Sequence, residues 1–234
     1  LGIANFLATN SLFFLCLKYS KTMIAARFTN SKQLISQLNC ALSPADALCA
    51  IAAISNSETT EVAVISALLQ LLSRHHHHSS VATAAVEVLV KLAPASVEPL
   101  LADFRSCSDQ GFQAWIIQAL AMIGDAKAFD LLAEVVGTEV ANHCQGNVRR
   151  IAARGLGKIG STVKDREVTD RAVEKLHWAL VTPQDWGLRY AAVVSLQEIA
   201  TPQAHAVLSA AVASESDWVV RSRMKKALEQ IPAC

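Results

Sequence analysis

The residues best able to do chemistry lie together in one stretch, Asn142-His143-Cys144-Gln145-Gly146-Asn147, which holds the only adjacent His and Cys in the 234-residue chain. Apolar spacing predicts helical segments from Asp125 to Val140 and from Val148 to Ile159, so the stretch is expected to form the turn between them. A thiol within a turn of a helix N-terminus feels the positive end of the helix dipole, and Arg149 and Arg150 follow at once. Both influences favour thiolate over thiol and lower the pKa below the free value of about 8.5. The neighbouring imidazole titrates near neutral pH. Together the pair could move protons or add to an electrophile. A variable loop with an incidental Cys is the competing account.

Elements that would position this turn follow from the wider pattern. From Ser31 onward apolar residues recur at i, i+3, i+4 and i+7. Short helices are predicted near 31–40, 44–55, 60–73, 80–93, 96–106, 110–123, 126–138, 148–159, 168–181, 186–199, 202–213 and 217–230. The second half repeats itself. Asp185-Trp186-Gly187-Leu188-Arg189 lines up with Asp217-Trp218-Val219-Val220-Arg221 at an offset of 32 residues. At an offset of 40, Val148-Arg149 matches Leu188-Arg189, while Leu156 and Ile159 match Leu196 and Ile199. Phe112-Gln113, Leu120 and Ile123 lie 36 residues further back, and Val81, Leu89 and Leu92 lie 31 before those.

Punctuation agrees with the periodicity. Asp185 and Asp217 stand where N-caps belong, Gly124 and Gly160 mark helix ends, and Pro44, Pro183 and Pro202 fall at boundaries. One helix pair cannot bury its apolar face alone, so neighbouring pairs must stack. No alternating strand pattern runs beyond a few residues. Gly124-Asp125-x-x-Ala128, then Val148-Arg149-Arg150-x-Ala152-Ala153-x-x-Leu156-Gly157-x-Ile159-Gly160, resembles HEAT-like repeats. The expected fold is all-α, a HEAT-like α-solenoid of about six helix-turn-helix repeats over residues 23–234.

Composition narrows the function. Hydrophobic residues make up 52% of the chain but aromatics only 6%, which suits closely packed helices. A formal net charge of +1 argues against nucleic acid held by bulk electrostatics. Six scattered cysteines without a Cys-x-x-Cys pair are expected to be mainly buried thiols of a reducing compartment, as Cys49 is in its apolar run. Residues 1–22 share no repeat register and are expected to be an upstream extension ahead of Met23, with a membrane-surface anchor as the alternative. Asn5 and Asn10 interrupt their apolar run, so no membrane span is expected. The His75–His78 run lies in a Ser-rich linker without acidic or Cys partners at ligand spacing; a flexible loop is expected there, and no metal.

Aligning the repeats shows what is unusual about the opening stretch. Gln145, Gly146 and Asn147 take the places of Asp185, Trp186 and Gly187, so the capping Asp and its Trp are missing. On the helix that follows, Val148, Ala152, Gly155, Leu156 and Ile159 should face the core, with Arg150 and Arg154 on the opposite side. Second helices of stacked pairs line the concave surface. Arg150 and Arg154, with their counterparts Tyr190, Val194, Ser222 and Lys226, would form a groove suited to a planar ligand carrying carboxylates. A solvated basic face is the plainer alternative. Arg149, Arg189 and Arg221 recur in register and are expected to pair with acidic residues of neighbouring repeats. Trp186 and Trp218 open their helices and are expected to pack on the preceding helix, or else to wall a ligand site.

The run from Asn142 to Gly160 resembles the F-type subunit of heterodimeric phycobilin lyases, and more narrowly the isomerising phycoviolobilin lyase of phycoerythrocyanin. Asp185-Trp186-x-Leu188-Arg189-Tyr190-Ala191-Ala192 is similar to the wider lyase group; Asn-His-Cys-Gln-Gly-Asn marks the isomerising kind. The resemblance implies an enzyme that works with an E-type partner subunit. It would join phycocyanobilin to a cysteine of the phycoerythrocyanin α-subunit and shift one double bond to give phycoviolobilin. His143 and Cys144 would be catalytic, with Asn142, Gln145, Gly146 and Asn147 supporting them. Arg150, Arg154, Tyr190 and Trp186 would bind the bilin, which is substrate, with no permanently bound cofactor. The expected setting is the cytoplasm, at phycobilisome assembly. A plain phycocyanobilin lyase subunit without isomerase activity, or a non-enzymatic HEAT-like adaptor or chaperone of that assembly, are the alternatives.

Overall fold

Short helices with a single apolar stripe can hide it only against one another. The computed structural model describes residues 31–57, 59–138, 143–182 and 184–231, without the side chains of His143 and Cys144. Twelve α-helices account for most of these residues. They are α1 (Ser31–Cys40), α2 (Pro44–Ser55), α3 (Val62–His75), α4 (Ser79–Lys91), α5 (Val97–Ser106) and α6 (Gln110–Ile123). After a 3-10 turn at Ala126–Ala128 come α7 (Phe129–Gly137), α8 (His143–Thr162), α9 (Arg166–Val181), α10 (Trp186–Ile199), α11 (Pro202–Ala211) and α12 (Trp218–Leu228). No strand occurs among the described residues, so the all-α expectation holds. Nor is any described helix long and apolar enough to cross a membrane.

The chain divides into two compact units, Leu1–Pro99 and Leu100–Cys234. In the first, α1 packs on α3 and α2 on α4. Leu34, Leu38, Ile54, Leu68, Leu72, Val81 and Leu89 are buried there. In the second, α6, α8, α10 and α12 stack in that order, with α7, α9 and α11 alongside. Their shared core includes Phe112, Leu120, Leu132, Leu156, Ile159, Leu176, Leu196 and Met224. Most of the repeat-matched apolar positions named above are buried, whereas Ile123, Val148 and Leu228 are half-buried.

Helix starts follow the sequence closely. Asp185 accepts a hydrogen bond from Gly187 N at 2.9 Å, and Asp217 accepts from Val219 N and Val220 N at 2.9 and 3.1 Å. Asp109, Asp125 and Asp165 cap in the same way. Ser43 and Asp46 make a reciprocal capping box, and Pro44 and Pro202 take the first helical position. Each such cap contributes about 1 kcal/mol over Ala. Pro183 lies outside the described residues, as do residues 1–22.

Four expectations need correcting. Gly124 ends α6 in the left-handed region with φ 72°, but Gly160 does not end α8, which runs on to Thr162. Gly160 packs instead on Ile199, where an added Cβ would sit 2.7 Å from Ile199 Cδ1. The helix therefore continues because its glycine is needed for close approach, not for a turn. Similar contacts hold Gly155 against Ala121 and Gly157 against Ser195. Cys40 and Cys49 are exposed and Cys107 half-buried. In α2 the buried stripe is Ala47, Ala50, Ile51 and Ile54, which leaves Cys49 outside it. The His75–His78 run is no loose loop: His75 ends α3 and is buried, with Nε2 3.3 Å from Ala41 O, and His78 is the N-cap residue of α4. No metal-binding cluster of His, Cys, Asp or Glu occurs among the described residues.

The fourth correction concerns the opening stretch. Helix α8 begins at His143, not at Val148, so Gln145, Gly146 and Asn147 are helical and not a turn. The aligned Asp185 and Asp217 stop their helices from extending backward by capping them. Gln145 cannot cap in that way, and α8 gains residues at its start.

Candidate functional site

His143 and Cys144 are the first two residues of α8. That position places the Cys144 backbone in the first turn, where free N–H groups and the helix dipole favour a negative charge. Gly146 is buried, Gln145 half-buried and Asn147 exposed. Asn142 lies outside the described residues.

Cations surround the next turn. Arg149 is 8% exposed and its Nε donates to Val136 O at 2.9 Å, near the end of α7. Burial pushes its guanidinium below the ordinary value, and the nearby Asp185 carboxylate opposes that shift. Lys175 of α9 is also lowered, by burial first and then by the charge of Arg149. Its Nζ lies 4.5 Å from the centre of the Trp178 ring. Arg149 thus binds a backbone carbonyl, whereas Arg189 pairs with a buried acid, Glu215, at 2.8 Å, as the repeat register led one to expect. Arg221 donates to the Glu215 carbonyl at 3.2 Å.

Arg150 links two repeats. Its Nη2 lies 2.8 Å from Asp185 Oδ1 and its Nε 3.3 Å from Oδ2, while Nη1 donates to Asn147 Oδ1 at 3.3 Å. Asp185 is thus both the cap of α10 and the counter-ion of α8. Gly187 makes room for this fork, because a Cβ there would sit 2.4 Å from the guanidinium carbon. Burial works against the Asp185 charge, but the Arg150 hydrogen bond and charge, with the Gly187 and Leu188 N–H groups, outweigh it. The carboxyl is held below its usual range. A carboxyl lowered in the folded state stabilises above its unfolded pKa of about 3.9 and loses that contribution as pH falls through the folded value. Asp185→Asn keeps a capping side chain and removes the charge. It should lower the melting temperature at pH 7 by about 2–4 °C, given ~1 kcal/mol or less for a part-exposed pair. Melting curves of parent and variant should converge as the pH drops below about 4.

Arg154, one turn on, reaches the same neighbouring helix. Nη2 lies 2.8 Å from Glu198 Oε2 and Nη1 donates to Ser195 Oγ at 3.0 Å. Ser195 in turn donates to Ala153 O at 3.0 Å and is fully buried. Both arginines therefore bind carboxylates already present in the chain and tie repeats together.

Two adjoining cavities open on the stacked helices. One of about 330 Å³ is lined by Gln118, Ala121, Met122, Ile151, Arg154, Lys158 and Glu198. The other, about 200 Å³, is lined by Arg154, Val194, Gln197, Glu198 and Arg223. Of the residues expected to form the groove, Arg154 and Val194 line these cavities, whereas Arg150, Tyr190, Ser222 and Lys226 line neither. Tyr190 is half-buried, four residues before Val194 on α10. Trp186 and Trp218 are 51% and 71% exposed, so they do not pack away on the preceding helix. Each is the first helical residue, and Cβ bonds tilt toward the helix N-terminus, which directs the indole beyond the helix end.

Lys158 and Arg223 were not singled out from the sequence, yet a signal existed. Position 223 aligns with Ile151 and Ala191 of the two preceding repeats. A guanidinium where the register calls for an apolar side chain marks a departure worth attention.

Comparison with known proteins matches these repeats to a family. Residues 65–143 and 138–229 match the model for HEAT repeats. The bilin biosynthesis protein PecF of Mastigocladus laminosus is 98% identical over 212 residues, covering 91% of this chain and all of that protein. The phycocyanin alpha phycocyanobilin lyase CpcF of a Synechocystis species is 30% identical over 159 residues, 64% of this chain and 72% of that protein. Among solved structures, the complex of CpcE and CpcF of phycocyanin lyase from a Nostoc species matches with a TM-score of 0.61 and 29% identity, covering 71% of this chain and 99% of that chain. Identity that spans the whole of one such protein, on a matching helical frame, makes this chain a member of the HEAT-repeat bilin biosynthesis proteins, the family that includes the phycocyanobilin lyase subunits.

Proposed function

We propose that the chain is the F-type subunit of a heterodimeric bilin lyase-isomerase. With an E-type subunit it joins phycocyanobilin by a thioether to a cysteine of the phycoerythrocyanin α-subunit, during phycobilisome assembly in the cytoplasm, and shifts one double bond to give phycoviolobilin. The near-identity with a whole bilin biosynthesis protein carries the bilin part of this reading. The likeness to a complex of two lyase subunits supports the partner.

The isomerising step rests on the start of α8. Moving a double bond along a conjugated tetrapyrrole removes a proton at one carbon and returns one at another, with no net change in atoms. Groups titrating near neutrality suit that work, and His143 and Cys144 stand at a helix N-terminus that favours thiolate. A thiolate could also add reversibly to the bilin as a temporary nucleophile. Asn147 anchors the helix through Arg150 to Asp185, so the motif begins a helix that is braced on the next repeat. Arg154 borders both cavities; Arg150, Tyr190 and Trp186 extend the proposed bilin surface toward the helix start.

Binding tests the enzyme reading against the adaptor. Purified chain, mixed with the E-type subunit, should bind free phycocyanobilin and change its absorption. An unchanged bilin spectrum at micromolar concentrations of both proteins would favour the non-enzymatic adaptor.

A further inference from the structure

We infer that Arg223, at the floor of the smaller cavity, is the residue that receives a propionate carboxylate of the bilin. The inference rests on the bilin reading above and adds a contact that neither the register nor the family motif supplies. Its basis is a difference between Arg223 and the two arginines of α8, of which Arg154 lines the same cavity. Arg154 is already neutralised by Glu198 at 2.8 Å, and Arg150 by Asp185 at the same distance. Arg223 makes no ion pair among the described residues, and Glu198, which shares its cavity, is engaged by Arg154: Arg223 Nη2 donates to the neutral Gln197 Oε1, and Gln197 is held in turn by Gln230.

The other end of the guanidinium is more telling. Arg223 Nη1 is buried and has no hydrogen-bond partner. A buried charged donor without an acceptor costs more than a neutral one, so an acceptor supplied by a ligand would be favoured there. Here the guanidinium lines a cavity of about 200 Å³ beside the apolar Val194. The adjoining cavity adds Ala121, Met122 and Ile151 as further apolar lining. Met122 is 44% exposed and presents apolar surface along that lining. The Arg154–Glu198 pair lines both cavities, so the Glu198 carboxylate carries its own counter-ion and does not repel an incoming anion.

The arrangement fits a ligand with an extended apolar, conjugated body and a carboxylate on a short arm. A guanidinium binds such a carboxylate through two parallel N–H donors. The Gln197–Gln230 chain fixes the fork before the ligand arrives, which reduces the entropy lost on binding. Arg223 touches the substrate in this account and takes no proton from it.

The test compares phycocyanobilin with its dimethyl ester, binding each to the full chain mixed with the E-type subunit and following bilin absorption. The parent should hold the free acid more tightly than the ester, by roughly ten- to a hundredfold for a charge-assisted hydrogen bond. Arg223→Met should bind acid and ester alike, near the parent's affinity for the ester, and Arg223→Lys should regain part of the preference. Helical circular dichroism of both variants should match the parent. A preference for the acid that persists in Arg223→Met would overturn the assignment while leaving the bilin reading intact. A parent that binds neither form would overturn both.

Discussion

Cys144→Ser, assayed with the E-type subunit, phycocyanobilin and the acceptor α-subunit, should still attach the chromophore but leave its double bond unshifted. His143→Ala should do the same. Neither residue is needed for the fold, because the aligned repeats build equivalent helices from Asp185-Trp186 and Asp217-Trp218 without a His-Cys pair. Both residues open α8, where the helix dipole stabilises a thiolate and the cations Arg149 and Lys175 flank the following turn. Losing an acid-base group of this kind slows proton transfer by about 10²- to 10⁴-fold. On the time scale of attachment, the phycoviolobilin adduct should therefore fall below a few per cent of product, by roughly that factor. The readout is the adduct spectrum, since a shifted double bond shortens the conjugated path and moves absorption to shorter wavelength. Parent-like yields of the shifted adduct from both variants would reduce the motif to an ordinary helix start.

Arg189→Ala should cause the largest loss of stability. Arg189 and Glu215 meet through two contacts, Nε to Oε2 at 2.8 Å and Nη2 to Oε1 at 3.0 Å, with side-chain exposures of only 14% and 5%. Glu215 Oε1 also accepts from Asp217 N at 2.8 Å, so the pair sets the start of α12. Removing the guanidinium leaves a buried carboxylate without its counter-ion, at a cost of about 3–5 kcal/mol. For a chain of this length that is a fall of about 10 °C in melting temperature. Arg189→Met combined with Glu215→Leu should recover much of the loss, because an apolar pair needs no counter-charge. Thermal unfolding of the single and double variants measures both effects. A single variant within 2 °C of the parent would show that water reaches Glu215 freely.

Much of the architecture was legible because it is periodic. The matches at offsets of 32 and 40 put Leu156, Ile159, Leu196 and Ile199 in the core, and all four are buried. The Asp caps expected at 185 and 217 both hold, with helices starting at Trp186 and Trp218. The start of α8 was not legible, because the signal used elsewhere, a capping Asp, is absent there and Gln145 gives no stop of its own. The exposure of Trp186 and Trp218 depends on the direction of a Cβ at the first helical position, which periodicity does not encode.

The groove was legible as a face but not as a set of partners. Arg150 lines neither cavity, whereas Arg154 lines both the larger and the smaller, which meet at it. Their engagement with Asp185 and Glu198 spans 35 and 44 residues and depends on how closely α8 approaches α10. That approach is set by Gly157 against Ser195, where an added Cβ would meet Ser195 Cβ at 2.5 Å. A glycine in a helical run gives no hint of which helix it will meet. Arg223 was hidden for another reason: the register partners of Arg150 and Arg154 are Ser222 and Lys226, and both are exposed.

The chromophore formed by the parent chain tests the central claim most directly. The chain and the E-type subunit are incubated with phycocyanobilin and the phycoerythrocyanin α-subunit, and the adduct is unfolded in acid before its absorption is recorded. The account predicts a covalent adduct with the shorter-wavelength spectrum of phycoviolobilin, formed only when both subunits are present. An adduct carrying the unshifted phycocyanobilin spectrum, or no covalent adduct at all, would contradict it.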